Sequence, residues 1–280
     1  MRFFDRFPQV GYVCAHRGAR SIAPENTLLA LEAARRCGAH VWETDVQMTA
    51  DEQLILLHDR RLTRTTDIRS RPEYRDRVQK TPGYFVWEQL RSLDAGSWFL
   101  AGDPYATLEK GEVPADMVPR IGGQRIPLLR EALDVCRDQD FPVNLEIKGT
   151  LGRKKKQRRL ELLAEQVMER QCADLVLVSS FDHENLRLLE EICPALATAA
   201  LVERQHPPDL VRYLKDLGAA AYHPRHDLVD AQLIRQLAVA GIRTNIWTVN
   251  DPQRFRCFAA AGATFICTDW PQRMTAAGRE

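Results

Sequence analysis

The residues able to do chemistry in this chain cluster at spacings that suit a metal ion. His16 and Arg17 close an apolar run, and Gly18 follows them, permitting a tight turn. Glu43 and Asp45 are two apart in HVWETDV (40–46), so on a strand both side chains point to one face. Glu146 and Lys148 repeat that spacing in NLEIK (144–148), and His58 sits in an apolar-flanked His-Asp pair. If the shared face is the interior of a closed barrel, bare carboxylates there are very costly, and a cation is the simplest compensation. Glu43, Asp45 and Glu146 offer only oxygen ligands, which suits Mg²⁺, Ca²⁺ or Mn²⁺ rather than zinc. Each feature also has a plainer explanation. An E-x-D pair can be the solvated face of an edge strand, Glu146 and Lys148 a simple ion pair, and His16 a buried histidine bonded to a carbonyl. Against these stands their coincidence at the ends of consecutive strands.

Those strands are legible as short apolar runs near 10–15, 40–46, 142–147, 174–179, 197–201, 219–222, 242–248 and 263–267. Amphipathic segments at 26–37, 127–138, 155–171, 183–192, 209–217, 230–240 and 252–261 alternate with them. Asn26, Asp182 and Asp251-Pro252 read as helix starts, and Gly38, Gly218, Gly241 and Gly262 as left-handed helix ends. Eight strand–helix units with near-continuous apolar strands predict a parallel sheet covered on both faces, closed as a (β/α)8 TIM barrel. The eighth helix is weak, because only PQRMTAAGRE remains for it. Residues 59–125 break the rhythm with scattered prolines and little period, and EQLILLHD (52–59) before them reads as a short strand pairing back on strand two. The expectation is one domain over 1–280, with a subdomain inserted after strand two at about 59–125. Catalytic barrels carry their sites at the C-terminal strand ends, where this polar cluster falls.

The 280 residues, 45% of them hydrophobic, are ample for one large core, and a net charge of +1 gives no pull toward nucleic acid or an anionic membrane. No secretory signal and no run approaching the roughly 18 apolar residues of a membrane span is visible. Seven scattered cysteines without a C-x-x-C pair argue against a disulfide framework or structural zinc. These readings predict a cytoplasmic protein with no stable membrane insertion, and they leave the oligomeric state open.

Residues 15–67 contain H-R-G, P-E-N-T, E-x-D and H-D in that order. With SLDAGSWF (92–99), RIPLLREAL (125–133), NLEIK (144–148), WTVND (247–251) and TDWP (268–271), the chain strongly resembles the glycerophosphodiester phosphodiesterase family over nearly its whole length. The resemblance implies a barrel with a subdomain after strand two, and metal-dependent hydrolysis of a small glycerophosphodiester to an alcohol and sn-glycerol 3-phosphate. By motif position it makes His16 and His58 the general acid/base pair. One divalent ion, Mg²⁺ or Ca²⁺ with Mn²⁺ as a further option, would be held by Glu43, Asp45 and Glu146. Arg17 and Lys148 would meet the phosphate, Trp247 would wall the pocket, and Glu25 and Asn26 would support the site, Glu25 by orienting a histidine or the metal. The stretch 100–124 is longer than the family pattern, which bears on leaving-group specificity.

Two other readings share these residues. One is phospholipase D-type activity on lysophospholipids in the same barrel; the other is a barrel that binds phosphodiesters without catalysis, for which an acid/base pair is superfluous. The run RKKKQRR (153–159) reads as a solvated loop and first helical turn, with steering of anionic substrates as the sharper alternative. His223 and His226 read as loop residues in ordinary solvent contact. Phe181 reads equally as packing or pocket wall, and Trp87 and Trp98 read as packing for the insertion.

Overall fold

The computed structural model describes residues 2–149 and 151–277. Nine strands form one sheet: β1 (Tyr12–His16), β2 (Val41–Met48), β3 (Leu54–Leu56), β4 (Val143–Ile147), β5 (Val176–Ser180), β6 (Ala197–Val202), β7 (Ala221–Pro224), β8 (Arg243–Ile246) and β9 (Phe265–Thr268). Eight of them run parallel. β1 pairs with both β2 and β9, which closes the barrel. β3 instead lies antiparallel on β2, with Leu56 opposite Val46, as the short apolar run at 52–59 predicts. Strands buried along nearly their whole length, such as β4 and β5, have helices on one side and the barrel interior on the other.

Helices α1 (Leu28–Arg36), α5 (Leu129–Asp138), α6 (Arg153–Glu169), α7 (His183–Ile192), α8 (Leu210–Asp216), α9 (Ala231–Val239), α10 (Pro252–Ala261) and α11 (Pro271–Ala277) surround the barrel. The eighth helix therefore forms in spite of its weak pattern. Asp182 and Asp251 cap α7 and α10 with their carboxylates, as expected, but the cap of α1 is Thr27, whose hydroxyl accepts from Ala30 N. Asn26 is instead held at φ 57° and turned inward. The floor of the barrel is closed by aromatic packing: Phe3, Phe7 and Phe265 are all buried, with Phe7 and Phe265 ring centroids 4.7 Å apart. Burying a side chain of that size contributes about 1.5–3 kcal/mol.

The subdomain after the second barrel strand is built from 3-10 turns and the short helices α2 (Trp87–Leu90), α3 (Ser97–Gly102) and α4 (Val118–Ile121). Ile68, Tyr74, Phe85, Leu90 and Leu93 form a small core of their own there, with Trp87 packed against it. Trp98 packs instead against the main core. All seven cysteines are free thiols, and no described helix is long and apolar enough to cross a membrane.

Candidate active site

The strand register brings the chemical residues to one end of the barrel. His16 is the Cα partner of Glu43, and Asp45 is the partner of Glu146, so residues from β1, β2 and β4 stand side by side. His16, Glu43 and Glu146 line a cavity of about 470 Å³ together with Arg17, His58, Lys148 and Trp247. Asp45 lies within the same carboxylate group, beneath Lys148.

The turn after β1 fixes His16 and Arg17. Gly18 adopts φ 88°, and a Cβ there would stand 2.7 Å from the backbone carbonyl of Ala30 on α1, so only glycine lets the turn approach that helix. Arg17 N donates to Glu43 Oε2 at 2.8 Å, and Arg17 Nη1 donates to Glu25 Oε1 at 2.9 Å. Each histidine has a carboxylate partner. His16 Nδ1 lies 2.6 Å from Asp269 Oδ1, just beyond β9, and His58 Nδ1 lies 2.7 Å from Asp59 Oδ1. A carboxylate at that distance selects the tautomer protonated on Nδ1 and leaves Nε2 as the acceptor. Burial, helped by Arg17, pushes the His16 imidazole down to about 4 against the opposing pull of Asp269, so the ring is neutral near pH 7.

Glu43, Asp45 and Glu146 are buried, with ligand oxygens within 4.8 Å of one another. Asn26 Nδ2 donates to Asp45 Oδ2 at 2.8 Å, while Asn26 Oδ1 accepts from the Thr44 hydroxyl at 2.7 Å; Asn26 thus orients one carboxylate of the trio. Glu43 Oε1, Asp45 Oδ1 and Glu146 Oε1 make no hydrogen bond among the described residues. Lys148 Nζ stands 2.5 Å from Glu146 Oε1 and 3.3 Å from Asp45 Oδ1, as ion pairs without hydrogen-bond alignment. Besides this ammonium, Arg17 Nε lies 3.4 Å from Asp45 Oδ2, but that guanidinium is shared with Glu25, so the two cations do not balance the buried carboxylates around them. Burial, with Asp45 and Glu146 close by, raises the Glu43 carboxyl well above its usual range, and burial raises Glu146 to about 7. Asp45 is held low, since Lys148 and Arg17 outweigh its burial. Three converging oxygens without hydrogen bonds and with an excess of negative charge fit a hard divalent cation.

A second carboxylate–histidine group, Glu25, His58 and Asp59, does not fit one. Its charge is already answered by arginines. Glu25 accepts from Arg17, from Arg20 at 2.7 Å and from Arg64 at 2.6 and 2.9 Å, and these three guanidinium groups overcome its burial to hold it down at about 2. Arg64 also donates to both oxygens of Asp59. Glu25 thus supports the site through the three arginines it holds, Arg17, Arg20 and Arg64.

The opposite wall is aromatic. Phe181 and Trp247 meet edge to face with centroids 5.5 Å apart, and Trp247 Nε1 donates to the His223 carbonyl at 2.9 Å. His223 is not a solvated loop residue: it lies on β7, fully buried, and lines the cavity. The basic run divides in two. Arg153, Lys154 and Lys155 are exposed, as a solvated face would be, whereas Lys156 and Arg159 are buried. Lys156 pairs with Asp182 and Glu184, and Arg159 donates to the Lys148 carbonyl, fixing the backbone beneath a site residue.

Residues 16–273 match the family model described as the glycerophosphoryl diester phosphodiesterase family. The chain belongs to that family of divalent-metal enzymes, and it is a phosphodiesterase. It is 30% identical over 265 residues to the glycerophosphodiester phosphodiesterase of Bacillus altitudinis, covering 93% of this chain and 95% of that one. A relative of the same name from Caldanaerobacter subterraneus is 29% identical over 266 residues, covering 94% and 95% of the two chains. Among solved structures, an Oleispira antarctica phosphodiesterase in complex with its product sn-glycerol-3-phosphate superposes with TM-score 0.82 at 26% identity, covering 100% of both chains.

Proposed function

We propose that this protein hydrolyses glycerophosphodiesters to an alcohol and sn-glycerol 3-phosphate, using one divalent ion on Glu43, Asp45 and Glu146 and the histidines His16 and His58 as base and acid. The observation that carries the reading is the pairing of two arrangements at one end of the barrel: a buried carboxylate trio whose negative charge exceeds what Lys148 and Arg17 supply, and two histidines each held by its own carboxylate. The product named for the Oleispira antarctica neighbour supports the choice of substrate.

A phosphodiester anion repels nucleophiles and leaves with a poor alkoxide, so charge must be withdrawn and protons moved. A divalent ion, when bound, neutralises the carboxylates and draws charge from the phosphoryl oxygens. Arg17 has its Nη1 on Glu25, while its Nη2 has no partner among the described residues and is available to a phosphate oxygen. Lys148 supplies a second cation at the cavity wall. His16, neutral near pH 7, takes the proton of the nucleophile (water or a glycerol hydroxyl) on Nε2, and Asp269 stabilises the imidazolium that forms. His58, more exposed and held by Asp59 in its doubly protonated form, gives its Nε2 proton to the departing alcohol and returns to the Nδ1-protonated tautomer. Where a glycerol hydroxyl attacks, water then opens the cyclic phosphate by the same two histidines in reversed roles.

The test is release of glycerol 3-phosphate from glycerophosphocholine, with Mg²⁺ or Ca²⁺ and again with EDTA. The expected result is release that EDTA abolishes and added metal restores. Undiminished release in EDTA overturns the metal assignment, and no release from well-folded, metal-supplied protein overturns the substrate.

A further inference from the structure

A second cavity, between the inserted subdomain and the start of α5, shares no lining residue with the catalytic one. It is an open groove of about 520 Å³. Trp87 and Arg91 line it from the subdomain, and Arg125, Arg130 and Glu131 line it from the chain that leads into α5. Three guanidinium groups thus meet one carboxylate, in a chain whose net charge is only +1. That carboxylate is already engaged, since Glu131 Oε2 accepts from Leu128 N at 2.8 Å as part of the α5 cap. The fold makes little use of the arginines. Arg125 is exposed and has no hydrogen-bond or ion-pair partner among the described residues. Arg91 reaches Glu88 at 3.0 Å, but the Glu88 side chain is itself 76% exposed, and Arg130 reaches only the neutral Gln53 side chain at 2.8 Å. Exposed contacts of this kind contribute little to stability. Trp87 packs against the subdomain core, yet it is only half-buried and its Nε1 has no partner among the described residues.

We propose that this groove binds a nucleoside phosphate, with the phosphate on Arg125 and Arg130 and the base on Trp87. Guanidinium groups pair with phosphate oxygens through two parallel hydrogen bonds, and an indole face stacks on any base. Arg91 stands four residues on from Trp87 and its N–H donates to the Trp87 carbonyl, so one helical turn presents ring and cation to the same side. Ile126, buried at the base of the groove, also lines a small cavity with Glu25, Asn26 and His58. An occupant therefore bridges the subdomain and the barrel, one side chain away from the back of the catalytic residues. It needs neither the carboxylate trio nor the two histidines, so the assignment does not depend on the substrate reading above.

The experiment titrates AMP into the Mg²⁺-supplied full chain, by calorimetry and by quenching of tryptophan fluorescence, beside adenosine and inorganic phosphate. AMP is expected to bind saturably and at least about tenfold more tightly than either fragment, since stacking and charge-assisted hydrogen bonds each contribute a factor of that order. Arg125→Gln is expected to weaken AMP binding about tenfold with Tm unchanged, because that side chain is exposed. Trp87→Leu is expected to abolish most of the quench and to bring AMP down to the affinity of phosphate. Saturating glycerol 3-phosphate is expected to leave AMP binding as it is, since the two cavities share no residue. Absence of saturable AMP binding overturns the proposal, and so does AMP bound no more tightly than phosphate. AMP binding that glycerol 3-phosphate displaces, or that Arg125→Gln leaves intact, puts the nucleotide outside this groove and overturns the proposal as well.

Discussion

The two histidines are made distinct by what surrounds them. His16 is buried beside Arg17 with its Nδ1 on Asp269, and Asn250 Nδ2 holds the other oxygen of Asp269 at 2.8 Å. His58 is more exposed, and its partner Asp59 is clamped by Arg64. If both act in proton transfer, His16→Ala and His58→Ala each lower kcat by about 10²- to 10⁴-fold with the fold intact. Near-normal turnover in either variant removes that histidine from the mechanism. Asp269→Asn keeps the shape but no longer selects the Nδ1-protonated ring, and its amide does not stabilise the imidazolium. It is expected to lower kcat by at least about 10²-fold, with little change in KM and a displaced acidic limb in the pH profile. A purely structural Asp269 predicts a loss of thermal stability with an unmoved pH profile. That His16, His58, Glu43, Asp45 and Glu146 converge at one end of the barrel is legible in the sequence, because ordered motifs at strand ends carry them. The partnership of Asp269 with His16 was not, since 253 residues separate the two and only barrel closure unites them. His223 was misread for a related reason: a polar residue in a four-residue strand looks like a loop unless the barrel interior at that level is known to be polar.

At the scale of the element, the eight parallel strands could be read directly, because strands buried on both faces leave continuous apolar runs. The inserted subdomain could be located but not resolved, since helices as short as α2 and α4 complete barely one turn and leave no period to detect. That hidden segment nevertheless reaches the site. Arg64 spans Glu25 and Asp59, and so joins the turn before α1 to the His58 partner. The turn after β1 is the other mechanical junction. Gly18→Ala places a Cβ 2.6 Å from Ala30 Cβ and 2.7 Å from the Ala30 backbone, at a φ of 88° that alanine adopts only under strain. Left-handed strain and overpacking together cost about 2–4 kcal/mol. The expected outcome is a Tm lower by about 5 °C or more, with a loss of kcat as His16 and Arg17 are displaced. A variant with unchanged Tm and turnover shows that α1 yields freely and that the turn is not what positions the site.

At the scale of the whole molecule, the carboxylate trio ties folding stability to metal and to pH. Without an ion, Glu146 is raised to about 7 and Glu43 well above its usual value, both chiefly by burial. A carboxyl whose pKa is raised in the folded state binds more protons there than in the unfolded chain. Its stabilising contribution is full below the unfolded value near 4.5 and is lost as pH rises through about 7. A metal ion needs the same oxygens deprotonated, so protons compete with it below that pH. Mg²⁺ should therefore raise Tm little at pH 5.5 and much more at pH 8, where it also relieves repulsion among bare carboxylates. At a hundredfold excess over Kd the gain is about 2.7 kcal/mol, or about 5 °C for a chain of this size. Glu146→Gln removes one buried charge and one ligand together. It is expected to raise the metal-free Tm at pH 8 and to abolish most of the response to Mg²⁺. Calorimetric scans of both proteins at the two pH values, with Mg²⁺ and with EDTA, decide the matter. A Mg²⁺ shift that is the same at both pH values and survives in Glu146→Gln places the ion elsewhere on the molecule.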